Sequence, residues 1–119
     1  MKPKFAAGEN IAMKVPPHQY EATLAFYRDI LGLSELVGSN GEIGFDFGGK
    51  KLWIDRVTTV SQAEIWLEVE TDDLEAAATY LAKQAVVRCD EIEPLPAGFG
   101  GFWVSSPAAI IHLVSIDSA

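Results

Sequence analysis

Three tryptophans, Trp53, Trp66 and Trp103, sit in short segments where polar and apolar residues alternate. In residues 50–57, Leu52 and Ile54 oppose Lys51, Trp53 and Asp55, and in 64–70, Ile65, Leu67 and Val69 oppose Glu64, Trp66 and Glu68. Residues 101–105 set Phe102 and Val104 against Trp103 and Ser105, and residues 41–47 set Ile43, Phe45 and Phe47 against Glu42, Gly44 and Asp46. Successive strand side chains point to opposite faces, so if the aliphatic and Phe side covers helices, all three indoles turn the other way with Glu64, Glu68 and Asp46. Indoles offer broad flat surfaces with one N–H each, which suits a planar organic ligand, and ring faces beside carboxylates suit a cationic one. The same pattern is produced by indoles that fill a shallow cup or a dimer seam, so pocket and filler both stand.

Residues 110–116 can be sorted the same way. Placing Ile111 and Leu113 toward the helices turns Ile110, His112 and Val114 to the other side, where His112 shares a face with Glu64. A carboxylate among aromatic rings has its pKa raised, which suits Glu64 to general-base work near neutral pH. Other candidates carry less. His18, in the turn VPPHQY, reads as a solvated loop residue, and Tyr27 reads as a core anchor of its helix. Ser105 and Ser106 have no His and Asp arrangement to activate them, and no Gly-rich loop joins a strand to a helix as a phosphate site requires. The single cysteine, Cys89, cannot form an internal disulfide and reads as a small hydrophobe.

The elements that must position these residues form two similar halves. Residues 9–15 alternate with Ile11, Met13 and Val15 on one side, and residues 64–70 repeat the pattern; Val15 is matched to Val69, 54 positions later. Each strand leads into an amphipathic helix: Tyr20, Leu24, Tyr27 and Leu31 recur at helical spacing in residues 20–31, and Leu74, Ala77, Ala78 and Leu81 in residues 72–84. Pro16 and Pro17 stop the first strand, and Gly32 ends the first helix. Three strands follow the first helix, at 34–38, 41–47 and 50–57, joined by Ser39-Asn40 and Gly48-Gly49, both hairpin signals. Three more follow the second helix, at 86–92, 101–105 and 110–116, with the loop EPLPAGFG at 93–100 as a rim, lid or turn. Residues 1–8 are expected to form a loose arm.

At 119 residues and 49% hydrophobic composition, the chain has the size and apolar content of one folded domain, here 1–119, with modules at about 9–57 and 64–116. No apolar run approaches the roughly 20 residues of a membrane span, and the start lacks a secretory core, so the cytoplasm is the expected location. A net charge of −8 opposes binding to nucleic acid.

LAFYRDILGL at 24–33, IWLEVETDDLEAAATYL at 65–81 and FWVSSPAAIIHLV at 102–114 resemble the vicinal oxygen chelate superfamily, which includes glyoxalase I, bleomycin-resistance proteins and extradiol dioxygenases. The resemblance implies an α+β fold in which two βαβββ modules form a curved mixed sheet, with a concave ligand cup and helices on the convex side, commonly in a homodimer. It also places the superfamily's metal-ligand positions at Asn10, Glu64 and His112; these residues bind a divalent ion (Zn, Ni, Fe or Mn) only if Asp46, Asp55 or a ligand adds oxygen. Asn10 stands where His is common and His112 where Glu is common. Two functions follow. One is a metal-independent small-molecule binding protein of the bleomycin-resistance type, using Trp53, Trp66, Trp103, Asp46 and Glu68. The other is a metal-dependent lyase, isomerase or dioxygenase with Glu64 as base or ligand and His112 as ligand.

Overall fold

The computed structural model describes residues 2–117 and divides into two compact units, Glu9–Trp66 and Met1–Gly8 with Leu67–Ala119. The chain is α+β. Each unit is built on a βαβββ module, and strand β6 (Glu64–Thr71) gives its first three residues to one unit and the rest to the other.

In the Glu9–Trp66 unit, β2 (Asn10–Val15) leads to helix α1 (Pro17–Ala25), which continues as a π-helical turn, Phe26–Ile30. Strands β3 (Glu35–Val37), β4 (Ile43–Phe47) and β5 (Lys50–Arg56) follow. They pair in the order β3-β4-β5-β2, with the first residues of β6 on the far side of β2; β2–β5 is parallel and the other pairs are antiparallel. Pro17 suits the first turn because its missing N–H has no helical partner to lose. The π-helical turn closes with Leu31 N–H donating to the Phe26 carbonyl, and Gly32, at φ 70°, takes the left-handed cap expected of it. Gly48 and Gly49, at φ 64° and 87°, form the two-residue β4–β5 turn, which needs both residues left-handed. Val15, Leu24, Phe45, Leu52 and Ile54 make the core, with Tyr20 and Tyr27 packed against them. Burying each large side chain stabilises the unit by about 1.5–3 kcal/mol.

In the other unit, the C-terminal part of β6 leads to α2 (Leu74–Lys83), β7 (Val87–Arg88), β8 (Gly101–Ser105) and β9 (Ile111–Ile116), paired in the order β6-β9-β8-β7. Again the first and last strands are parallel. Asp73 caps α2 by accepting from Ala76 N–H at 3.0 Å. Ala77, Phe102, Val104 and Val114 form the buried core.

Three expectations are corrected. The arm is not loose: β1 (Phe5–Ala7) pairs antiparallel with Val69–Thr71, and Thr71 donates its hydroxyl hydrogen to the Lys4 carbonyl at 2.9 Å. Its Met1 lies outside the described residues. The strand expected at 86–92 shrinks to two residues because Asp90 takes over its ladder, accepting from Trp103 N–H at 3.0 Å and from Arg88 Nε at 2.8 Å. The internal repeat is offset by 56 rather than 54: Val57 N–H bonds the Val15 carbonyl as Asp117 N–H bonds the Thr71 carbonyl, so Thr71 is the counterpart of Val15. The shift is two residues, so alternation survives it. No helix among the described residues is long and apolar enough to cross a membrane.

Candidate functional site

In the Glu9–Trp66 unit, register brings Gly44, Trp53, Ala12 and Trp66 into one row across β4, β5, β2 and β6. Ile11, Val15, Leu52, Ile54 and Phe45 point to the opposite face, toward α1, so this row lies on the face away from the helix. Adjacent strands are about 4.8 Å apart, which puts the two tryptophan backbones roughly 10 Å apart with only the methyl of Ala12 between them. Trp53 leans over Gly44: a Cβ there would stand 2.6 Å from the ring.

The polar groups on this face are tied to the indoles. Trp53 Nε1 donates to Asn10 Oδ1 at 2.8 Å, and Trp66 Nε1 donates to Glu64 Oε1 at 3.1 Å. Lys14 is 4% exposed, binds Asp55 Oδ2 at 2.9 Å and holds its ammonium 4.3 Å from the Trp66 ring centre. Burial of that ion pair beside an aromatic face fixes Trp66, itself 7% exposed, in one orientation. Trp53 is half-buried. At the edge, Glu9 pairs with Lys51 at 2.8 Å, and that hydrogen bond and charge hold the Glu9 carboxyl below its ordinary pKa. Asp46 turns back on its own hairpin, accepting from Gly49 N–H at 3.1 Å.

In the other unit, Trp103, Leu113 and Glu68 stand side by side on β8, β9 and β6, on the face away from α2. Trp103 is 5% exposed, and its Nε1 donates to the Glu93 carbonyl at 2.9 Å. The segment expected as a rim or lid thus binds the indole directly. His112 is the reverse of its expected orientation. It is paired with Leu67 and Val104 and shares the face of Val69 and Val114, toward α2; Ile111 and Leu113 take the other side. Residues 110–116 are apolar on both faces, so alternation alone could not choose between them, and Val114, fully buried against Phe102 and Val104, decides the register. Its Nδ1 lies 3.0 Å from the Ile110 carbonyl.

A three-ligand metal site does not fit these residues. Asn10 and Glu64 serve as indole acceptors, His112 faces the core of its own unit, and among the described residues no three His, Cys, Asp or Glu side chains come together. His18 is exposed on α1, Tyr27 packs 5.6 Å from the Phe45 ring in the core, and burial pushes the half-buried Cys89 thiol up in pKa. Sequence reasoning missed Ala12 and Lys14. The available signal was a lysine inside an otherwise apolar strand, with Asp55 on a strand of matching length.

No protein-family model and no curated protein matches the sequence. Solved structures do. An Mn(II)-bound glyoxalase from Novosphingobium aromaticivorans superposes with a TM-score of 0.67 at 19% identity over 98% of this chain, which spans 40% of the length of that protein. A methylmalonyl-CoA epimerase in complex with methylmalonyl-CoA gives 0.63 at 16% identity, covering 98% of this chain and 97% of that one. A glyoxalase/bleomycin resistance protein/dioxygenase superfamily member from Vibrio splendidus 12B01 gives 0.60 at 12% identity, covering 94% and 100%. These likenesses and the twice-used βαβββ topology agree: the chain has the vicinal oxygen chelate fold.

Proposed function

We propose that this chain is a small-molecule binding protein of the glyoxalase/bleomycin-resistance type, taking a planar or cationic organic ligand without a metal ion. The observation that carries the reading is the double use of the ligand positions: Asn10 and Glu64 accept indole N–H groups, which commits both residues to holding aromatic rings. The floor between those rings is Ala12, small enough for a flat molecule to lie on. Glu64 borders it, and the net charge of −8 favours a cation. Trp103 and Glu68 belong to the other unit's face.

A second reading draws on the epimerase likeness and on Glu64, an exposed carboxylate oriented by Trp66: an enzyme in which Glu64 moves a proton beside a carbonyl. Elemental analysis of protein purified without metal-affinity resin separates the two, with Glu64→Ala and His112→Ala alongside. The binding reading expects no stoichiometric Zn, Ni, Fe or Mn, even after soaking. One ion per chain, lost in both variants, would overturn it in favour of a metal-dependent enzyme.

A further inference from the structure

The unit containing α2 has a surface cavity of about 350 Å³, open to solvent, on the helix side of its sheet, away from the tryptophan face of β8. Phe5, Val69, Val104, Val114 and His112 line it, as do Tyr80 and Lys2, whose ammonium lies 5.7 Å from the Tyr80 ring centre.

The internal repeat lets its lining be compared with the other unit. Strand register makes Val104 the counterpart of Phe45, Val114 of Ile54, Val69 of Met13 and His112 of Leu52. Four residues past each helix cap, Ala77 takes the place of Tyr20. In the Glu9–Trp66 unit those places hold Phe45, Leu52, Ile54, Met13 and Tyr20, and an open pocket of about 370 Å³ lies there beside Met13, Thr23 and Tyr27. At each of these five positions the second unit is smaller or more polar. At one of them a polar imidazole, His112, is set where its twin has a leucine.

We infer that this cavity is a second ligand site, and that it takes a small hydroxylated aromatic such as an alkylphenol. Its volume of about 350 Å³ is enough for one ring with a short alkyl chain. The Phe5 and Tyr80 rings, 6.1 Å apart, offer an aromatic wall. His112 supplies a directional contact, beside Tyr80, Ser105 and Ser106, which also line the space. Its Nδ1 faces the Ile110 carbonyl, which can only accept, so the neutral ring carries its proton there and presents Nε2 as an acceptor for a phenolic O–H.

The test is titration of the whole chain with 4-propylphenol and with propylbenzene, followed by NMR of the valine methyl groups. The inference expects saturable shifts of Val104 and Val114, with the phenol binding about tenfold tighter than the hydrocarbon. His112→Leu should erase that preference while keeping hydrocarbon binding, and Val104→Phe with Val69→Met should abolish both. Trp53→Ala, on the other face of the other unit, should leave the shifts unchanged. No saturable shift of these methyls in the wild-type chain would overturn the inference, as would a phenol preference that survives His112→Leu. Should the filled variant not fold, the wild-type and His112→Leu titrations decide alone.

Discussion

Replacing Lys14 by methionine keeps most of the buried stem and removes only the ammonium. Its partner Asp55 then keeps its charge without its counter-ion. Breaking a fully buried pair costs about 3–5 kcal/mol, and an exposed pair contributes about 0–1 kcal/mol. The Lys14 side chain is 5% exposed but that of Asp55 is 30% exposed, so water recovers part of the aspartate's hydration and the expected cost falls to about 2 kcal/mol. Loss of the cation from the Trp66 face at 4.3 Å adds roughly 0.5–1 kcal/mol. The total, about 2.5–3 kcal/mol, corresponds to a fall in Tm of about 10 °C for a chain of this size. Urea unfolding of Lys14→Met, Asp55→Leu and the double variant measures it. The double variant should recover at least about 1.5 kcal/mol relative to the sum of the singles, and 0.5 M NaCl should barely change that coupling, because buried pairs are weakly screened. A Lys14→Met variant within about 0.5 kcal/mol of the parent, or additive single effects, would refute the claim that this pair organises the tryptophan face.

Four further outcomes follow. Ala12→Leu, which fills the floor between Trp53 and Trp66, should abolish binding of a planar cation such as 9-aminoacridine while leaving the far-ultraviolet circular dichroism unchanged. Gly49→Ala puts a side chain at φ 87° in the β4–β5 turn and should cost about 1 kcal/mol or more in urea unfolding. Lys51→Met should return the Glu9 carboxyl toward its ordinary pKa in an NMR titration. A depressed folded-state pKa contributes stability above the unfolded-state value and loses it as pH falls through the folded one, so the Lys51–Glu9 contribution should fade only in the acid range. Burial raises the Cys89 pKa, so thiol-specific reagents should label it more slowly at neutral pH than they label the urea-unfolded chain.

Strand–helix order, the Gly48-Gly49 hairpin turn, the left-handed Gly32 and the placing of Trp53 and Trp66 opposite the α1 core were legible because each rests on a local rule; the β3–β4 connection, expected as a two-residue Ser39-Asn40 turn, is longer and takes in a left-handed Gly41. Alternation sorts Leu52 from Trp53, and two consecutive glycines make only one kind of tight turn. Three things were not local. Residues 111–116 are apolar on both sides, and only packing of Val114 against Phe102 and Val104 orients His112. The pairing of Phe5–Ala7 depends on a free edge of β6, some 60 positions away, which no short-range pattern reveals. Burial of Lys14 depends on Asp55 and Trp66 arriving from two other strands, whereas a lysine read alone is a surface residue.

The central claim is that an aromatic face, held by Asn10 and Glu64 and needing no metal, binds a planar or cationic organic molecule. Calorimetric titration of EDTA-treated protein with 9-aminoacridine tests it most directly. The account predicts one saturable site per chain, unchanged by added Zn²⁺, Ni²⁺ or Mn²⁺ and lost in Trp53→Ala. Binding that appears only after a divalent ion is restored, or that persists undiminished without Trp53, would contradict it.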